Sequence, residues 1–367
     1  MTGRPALGSA GQGAARLFSA LADVLAEHGI SVLSERVYAL RSAREELLAR
    51  RAEALSAKGL TSSTPVTFLQ GTPASGEAFA GVQIWGVTPR AGAGQRVELI
   101  ERDGQVLGSE WIGPDFRQLA LSSIDGLGGD APANAPEQAR RLFERAGAAL
   151  GARGYSFREV ARTWIYFARL LDWYGDFNAV RNAHYAAAGV SAFPASTGIQ
   201  AQSASEECLM DVLAIDPGSA GRLTVRPVAE SGRQGQASAY GSAFSRAVVI
   251  DWTEYRIIHV SGTASIDHRG RSTHPGDAGA QLRDTLASID ALLQPEGGGL
   301  SNVCQGTLFA KSAAVAATCR DVARDLGSTA LPFVEVIADV CRPELLVEIE
   351  AVAIVRGAAG AQRPVIA

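Results

Sequence analysis

Apolar side chains near the start of the chain follow a helical period. Leu17, Leu21 and Val24 recur at intervals of three and four residues, which places them on one face of a helix. Apolar residues continue at this spacing among charged ones, so the pattern predicts helical structure over residues 17–57. The Gly- and Ala-rich residues 1–16 lack this period, and we expect them to form a flexible tail.

Beyond residue 60 the pattern changes to short apolar runs separated by Gly, Pro and Asp, which is typical of strands and turns. An order of strands, helix, strand, helix and two further strands occurs twice. The two copies align when Phe193-Pro194 falls on Leu331-Pro332, and residues 207–215 then fall on residues 346–354.

This duplication predicts an α+β protein with two tandem domains, each a mixed sheet with helices packed on one face. The predicted divisions are an N-terminal tail with helices at 1–60, a first domain at 61–222 and a second domain at 223–367.

The composition excludes several classes of protein. Of the 367 residues, 47% are hydrophobic and 20% are charged, which is typical of a chain with a sizeable core rather than of a disordered one. A net charge of −4 does not favour binding to nucleic acid or to a membrane surface. The cysteines form no C-x-x-C pair and the histidines lack metal-ligand spacing, so we predict neither a disulfide framework nor a metal site. Without a signal peptide or a membrane-spanning apolar run, we expect a soluble cytoplasmic protein.

The most informative strand carries two acids on one face. Alternation over residues 347–351 puts Glu348 and Glu350 on the same side. One interpretation is a solvated face. The other is that one acid enters a cleft, where burial raises its pKa and lets it transfer protons near neutral pH. The first copy has Leu209 in place of Glu348 and Asp211 in place of Glu350. An acid present in one copy only is the better catalytic candidate, which favours Glu348.

Further candidates lie on a strand and the helix that follows it. Arg162 and Tyr166 share a strand face, and Tyr174 and Arg181 follow one stripe of the next helix. The stripe is either an exposed face or the wall of a pocket for an anionic ligand, because arginine binds carboxylates through two N–H groups. Cys341 has no histidine nearby to activate it, so by itself it is typical of a small core residue.

Several segments resemble a known family. The second copy is similar to proteins of the Rid (YjgF-like) fold, and the chain from Pro65 to Arg356 resembles more specifically the chorismatases, which are built from two such units. The resemblance to the Rid fold rests on Val260–Ile266, on Val347–Ala353 and on the helix at Gln281. The resemblance to chorismatases rests on four segments: Arg162–Tyr166, Trp173–Asn178, Phe193–Ile199 and Cys341–Glu348.

The resemblance implies an enzyme that acts on chorismate, without a metal or organic cofactor, and releases pyruvate from its enolpyruvyl ether. Glu348 would protonate the terminal methylene of this group. Water would then attack, or the 4-hydroxyl of the ring would displace the ether oxygen through an arene oxide. Chorismate carries two carboxylates, and the residues expected to bind it are Arg162 and Arg181, supported by Tyr166, Tyr174 and Thr197.

Members of this family differ in their product. One branch hydrolyses chorismate to a dihydroxycyclohexadiene carboxylate, another forms 3-hydroxybenzoate, and a third forms 3- and 4-hydroxybenzoate together. The hydroxybenzoate branches have a cysteine seven residues before the catalytic glutamate, which Cys341 matches, and a glycine in the pocket, for which Gly262 is the expected position. The resemblance therefore favours 3-hydroxybenzoate, with Glu348 and Cys341 as catalytic residues.

Two other functions stay open. A Rid-type enamine or imine deaminase is disfavoured, because small Rid enzymes hold a substrate carboxylate with an arginine where this chain has Leu331-Pro332. In a non-catalytic ligand-binding protein, nothing would explain why Glu348, Cys341 and the polar stripe of the helix occur together. We expect a small-molecule ligand, no nucleic-acid or membrane partner, and a monomer, because the duplication supplies within one chain the interface that small Rid proteins form between subunits.

Overall fold

Runs of β-branched and aromatic residues, separated by glycine and proline, fold into three sheets that are each covered on one face by two helices. The computed structural model describes residues 1–5, 10–102, 104–128, 134–201, 206–327 and 331–357. We name the three sheets with their helices unit 1, unit 2 and unit 3, in chain order.

Unit 1 has a four-stranded sheet in the order β1-β5-β2-β3. Its elements are β1 (Thr2–Gly3), α1 (Ala10–Glu27), β2 (Ser31–Ala39), α2 (Arg44–Ala57), β3 (Val66–Gln70) and β5 (Phe79–Val87). Between the last two lies β4 (Thr72–Pro73), which pairs with a strand of unit 3.

Unit 2 has a six-stranded sheet in the order β10-β9-β11-β8-β7-β6. Its elements are β6 (Arg96–Arg102), β7 (Gln105–Ile112), β8 (Arg117–Asp125), α3 (Ala135–Ala152), β9 (Val160–Phe167), α4 (Leu170–Ala187), β10 (Ala195–Gln200) and β11 (Cys208–Asp216).

Unit 3 has a seven-stranded sheet in the order β12-β13-β14-β17-β15-β16-β4. Its elements are β12 (Leu223–Val228), β13 (Ala247–Trp252), β14 (Tyr255–Ala264), α5 (Ala278–Leu293), β15 (Val303–Ala310), α6 (Ala313–Asp325), β16 (Phe333–Ile337) and β17 (Val347–Arg356).

The three units share one core arrangement of helix, strand, helix, strand and a final antiparallel strand. The two strands joined by a helix pair in parallel, as β2 with β3, β9 with β10 and β15 with β16. The last strand then pairs antiparallel with the first, as β5 with β2, β11 with β9 and β17 with β15. Unit 1 is therefore a shortened third copy of the motif.

The strand registers align the three copies residue by residue. Gln83 pairs with Arg36, Asp211 with Trp164, and Glu350 with Thr307, and the first member of each pair occupies the same position in its unit. Two residues earlier on the same strands, the equivalent positions hold Gly81, Leu209 and Glu348. The alignment of Leu209 with Glu348 that the sequence indicated thus agrees with the strand pairing.

The mixed sheets with helices on one face confirm the predicted α+β class. The helical structure predicted over 17–57 is wrong for Ser31–Ala39, which is a strand between α1 and α2. Nearly all of this strand is buried, so it lacks the alternation of apolar and polar residues by which a half-buried strand is recognised. The predicted flexible tail at 1–16 includes a short strand and the start of α1, while residues 6–9 lie outside the described residues.

The strand pairing does not follow the predicted division at residue 60. The strand at 31–39 pairs with strands at 66–70 and 79–87, which places the first strands of the predicted domain 61–222 in the sheet of unit 1. The division near residue 222 corresponds to the start of unit 3 at Leu223. Units 2 and 3 are the two tandem units predicted from the sequence, and we propose that unit 1 is a third, shorter unit that precedes them.

The three sheets face one another across a shared inner core, and the helices lie outside. Aromatic residues from all three units meet in this core, including Tyr38, Trp164 and Phe309. Separate apolar clusters fill the space between each sheet and its own helices. The inner faces also carry buried charges, which pair across the junctions between units.

At the junction of units 1 and 2, Arg36 Nε donates to Asp211 Oδ2 at 3.0 Å, and both side chains are buried. Asp211 Oδ1 also accepts from Thr67 Oγ1 at 2.7 Å and from the backbone N–H of Ser123 at 2.9 Å. These hydrogen bonds compensate the desolvation of the Asp211 carboxylate.

We predict that Arg36→Ala destabilises the protein strongly, because it leaves the charge of Asp211 buried without its ion-pair partner. The expected loss in the free energy of unfolding is about 3–5 kcal/mol, measured by urea denaturation. Arg50→Ala is the matched control, because Arg50 forms an exposed pair with Glu53. Equal losses in the two variants would show that the Arg36 pair does not join the units.

Candidate active site

The two acids of β17 are buried in the centre of the molecule. β17 lies between β14 and β15, and its alternation turns Val347 and Ile349 toward the helices and Glu348 and Glu350 toward the inner core. Glu348 and Glu350 are each 4% exposed. The alternative of a solvated strand face is therefore wrong.

Glu348 lies in a tight space against β14. An ideal Cβ at Gly262 would lie 2.1 Å from Glu348 Oε1, so the carboxyl would have to shift if position 262 carried a side chain. Burial, with a smaller contribution from Glu350, raises the pKa of Glu348 to about 8, although Arg162 and a hydrogen bond with Cys341 act in the opposite direction. Glu348 therefore keeps its proton at neutral pH.

Cys341 is half-buried in the turn before β17 and forms its hydrogen bond with Glu348. Burial, and to a lesser extent Glu348, raise the pKa of the Cys341 thiol to about 12. A thiol with this pKa stays protonated at neutral pH and is a poor nucleophile. Cys341 can thus donate a hydrogen bond beside the acid, but it is not arranged for covalent catalysis.

Arg162 of unit 2 forms contacts with unit 3 close to Glu348. The side chain is 2% exposed, and its Nη2 donates to Glu350 Oε2 at 2.9 Å and also to Thr197 Oγ1. Thr197 Oγ1 in turn accepts from the backbone N–H of Gly262 at 3.1 Å. These contacts hold β9 and β10 of unit 2 against β14 and β17 of unit 3. Among the described residues, Nε and Nη1 of Arg162 have no hydrogen-bond partner.

Helix α4 adds Tyr174 and Arg181 to this junction. Tyr174 packs against Gly198, and burial raises its pKa, with smaller contributions from nearby Cys341 and Glu348. Arg181 Nη2 donates to Asn178 Oδ1 at 2.6 Å, while its Nε is buried without a partner among the described residues. An unpaired buried donor of this kind is a candidate contact for an anionic ligand.

The structure brings two further residues to the site that the sequence did not indicate. Arg246 is buried and its Nη2 donates to the hydroxyl of Tyr240 at 2.7 Å. The guanidinium groups of Arg181 and Arg246 lie 5.8 Å and 5.3 Å from the centre of the Phe244 ring, so two cations lie near one aromatic side chain. Tyr240 and Arg246 lie beside a stretch that is rich in Gly and Ser and has no periodic pattern. No sequence pattern therefore indicated that these two residues belong to the site.

Tyr166 lies at a different junction from the other predicted residues. Its hydroxyl donates to Asp211 Oδ2 at 3.3 Å, on the side of the Arg36 ion pair. The junction of units 2 and 3 gathers the remaining predicted residues: Glu348, Cys341, Arg162, Thr197, Gly262, Tyr174 and Arg181.

Within the described part of the chain, no group of three His, Cys, Asp or Glu side chains is arranged to hold a metal ion. No helix in that part is both long and apolar enough to cross a membrane. The junction of units 2 and 3 therefore places buried arginine N–H groups without a partner among the described residues near a protonated carboxyl.

Known proteins with this architecture were found by sequence and by structure. A family model described as Endoribonuclease L-PSP matches residues 236–355. Among solved structures, a chorismatase matches 88% of this chain and 93% of its own, with a TM-score of 0.63 and 19% sequence identity. This chain shares its fold with that chorismatase. The resemblance predicted from the sequence is therefore confirmed for the fold.

Two shorter proteins match smaller parts of the chain. A YjgF-family protein from Mycobacterium tuberculosis covers 36% of this chain and 100% of its own, with 27% identity and a TM-score of 0.28. A protein from Thermotoga maritima, described as an endoribonuclease, covers 36% and 99%, with 25% identity and a TM-score of 0.30.

We predict that Glu348→Gln makes stability less dependent on pH. The folded protein holds the Glu348 proton up to about pH 8, whereas an unfolded glutamate releases it near 4.5. Since the folded state binds more protons in this window, its stability falls as pH rises through it, by about 1 kcal/mol per pH unit. The free energy of unfolding of Glu348→Gln, measured in urea from about pH 5 to about pH 8, should fall less steeply than that of the wild type.

The control for this titration is Glu344→Gln, because Glu344 is exposed and its hydrogen bond with Ser272 lowers its pKa. Glu344→Gln should keep the wild-type slope above about pH 5. A wild-type slope in Glu348→Gln as well would show that Glu348 is ionised in the folded protein.

Proposed function

We propose that this protein is a chorismatase that converts chorismate to 3-hydroxybenzoate and pyruvate. The observation that carries the proposal is the buried acid Glu348, whose pKa of about 8 keeps it protonated at neutral pH. Its site lies at a junction that also presents buried arginines. The shared fold with a chorismatase over nearly the whole chain supports the same function.

The proposed reaction begins with proton transfer from Glu348 to the terminal methylene of the enolpyruvyl group. This carbon becomes a methyl group, and the ether carbon becomes an oxocarbenium centre. The 4-hydroxyl of the ring then attacks C3, the C3–O bond breaks and pyruvate leaves with its new ketone oxygen. The 4-hydroxyl loses one proton, which balances the proton that Glu348 supplied. The arene oxide opens to 3-hydroxybenzoate.

Two arginines are proposed to bind the carboxylates of the substrate. Arg181 has a buried Nε without a partner among the described residues, and Arg246 lies near the same Phe244 ring. Arg162 already pairs with Glu350 and Thr197, so we assign it to holding the junction together and, through its remaining N–H groups, to the ligand. Tyr174 and Thr197 would support the same ligand from unit 2.

The choice of product is proposed to depend on Gly262 and Cys341. Gly262 leaves room for Glu348 Oε1. Cys341, in the turn before β17, forms a hydrogen bond with the same carboxyl. Because the Cys341 thiol stays protonated, it can orient the acid without reacting with the substrate. These are the residues that match the hydroxybenzoate-forming branch. Because the complete site lies within one chain, we also propose that the protein works as a monomer.

The proposal is tested by mixing purified protein with chorismate, measuring pyruvate and identifying the ring product by chromatography. We expect pyruvate and 3-hydroxybenzoate in equal amounts. Glu348→Gln should lose turnover by about a thousandfold or more, because the amide that replaces the carboxyl cannot donate the proton. Its circular dichroism spectrum should match that of the wild type, and Glu344→Gln should keep full activity.

Turnover near the wild-type rate in Glu348→Gln would overturn the role of this acid. Absence of pyruvate with the wild-type protein would overturn the proposed function, and a non-aromatic diol would overturn the proposed product alone.

We predict that Cys341→Ala changes the product ratio. Loss of the thiol removes one hydrogen bond to Glu348 and opens a small space into which water can enter beside the reacting centre. The diol that results from attack by water should therefore rise relative to 3-hydroxybenzoate, measured in the same chromatographic assay. Cys319→Ala is the control, because Cys319 is buried in unit 3 between its sheet and helices. An unchanged ratio in Cys341→Ala would show that this thiol does not select the product.

A further inference from the structure

Equivalent positions of units 2 and 3 hold a buried carboxylate paired with an arginine. In unit 2 Asp211 pairs with Arg36, and in unit 3 Glu350 pairs with Arg162. Each carboxylate also accepts from a threonine hydroxyl, at 2.7 Å from Thr67 and at 3.1 Å from Thr307. The two pairs are thus chemically alike, but only Glu350 has another acid two residues away on the same strand face.

Glu350 is close to Glu348 and is linked to it by a chain of contacts. Residues i and i+2 of a strand lie about 7 Å apart on one face, with no side chain between them. Arg162 Nη2 bridges Glu350 Oε2 and Thr197 Oγ1, and Thr197 accepts from the N–H of Gly262, against which the carboxyl of Glu348 rests. Glu350 therefore has both a direct electrostatic effect on Glu348 and a structural one.

We propose that Glu350 is a positioning residue that keeps Glu348 protonated, through its negative charge and through the Arg162 bridge that it anchors. Two negative charges this close in a buried site disfavour one another, so the charge of Glu350 opposes ionisation of its neighbour. The use of the Glu348 proton in catalysis rests on the proposed function. The effect of Glu350 on the titration of Glu348 does not.

The groups that face Glu348 come from four segments and include both signs of charge. Arg162 opposes the effect of Glu350, and its guanidinium stays charged at neutral pH although burial lowers its pKa to about 10. The titratable groups near Glu348 are Glu350, Arg162, Cys341 and Tyr174, and those near Glu350 include Arg36, Tyr38 and Tyr166. Removal of the charge at Glu350 leaves the positive charge of Arg162 without its counter-ion, which lowers the pKa of Glu348 further.

The test is the titration of the Glu348 carboxyl by carbon NMR on protein labelled at glutamate side chains, with the resonance identified by its absence in Glu348→Gln. In Glu350→Gln the pKa of Glu348 should fall by about one unit or more. Asp211→Asn is the matched control, because it neutralises the equivalent buried carboxylate in the other unit and should leave the titration of Glu348 within about 0.3 unit of the wild type. Glu350→Asp retains the charge and should restore most of the wild-type value.

Equal shifts in Glu350→Gln and Asp211→Asn, or none in either, would overturn the proposal. If Glu350→Gln does not fold, Glu350→Asp decides the matter: a pKa close to the wild-type value supports the role of the charge, and a fall of a unit or more contradicts it.

Kinetics give a second readout that depends on the proposed function. The activity that requires protonated Glu348 is lost as pH rises through its pKa, so the alkaline limb of kcat/KM for chorismate should move to lower pH in Glu350→Gln by the same amount as the NMR titration. At a pH above both limbs, activity should fall about tenfold for each pH unit by which the limb moves. If the wild type does not cleave chorismate, the proposed function fails while the NMR titration still decides the role of Glu350.

Discussion

The buried ion pair between Arg162 and Glu350 is the interaction on which the site depends. It crosses from unit 2 to unit 3, and the same guanidinium nitrogen reaches Thr197, which accepts from the backbone of Gly262. A buried ion pair adds little net stability, because the desolvation of both charges offsets their attraction. Its value lies in geometry, since it fixes the distance between two sheets that together enclose Glu348.

The three copies of the motif differ at the position that Glu348 occupies in unit 3, and this difference restricts the proposed site to one junction. The position equivalent to Glu348 is Leu209 in unit 2 and Gly81 in unit 1, where a Cβ would lie 2.5 Å from the backbone oxygen of Gly3. The Arg36–Asp211 ion pair lies at the junction of units 1 and 2. Like the Arg162–Glu350 pair it is buried, but Asp211 has no second acid two residues away on its strand face. Burial and a like charge nearby both favour a protonated carboxyl at neutral pH, and among these three positions only that of Glu348 combines an acid with both.

Much of the fold could be predicted from periodicity and duplication. The order of helices and strands in units 2 and 3 was predicted where apolar residues recur with a regular period, but the strands at 117–125, 223–228 and 247–252 went unassigned. The strand at 31–39 was missed because it is buried on both faces and its residues show no alternation. Tyr240 and Arg246 were missed because they reach the site through the packing of an irregular segment.

The sequence by itself determined that an acid stands in one copy and not in the other, because alternation along a strand and the alignment of two copies can be read without coordinates. The tertiary structure decided whether that acid is buried and protonated or lies on a solvated strand face. Its burial, its contact with Gly262 and Cys341, and the cations around it come from segments that lie far apart along the chain. A pKa depends on the solvation and charges that packing creates, and these are properties of neighbours in space.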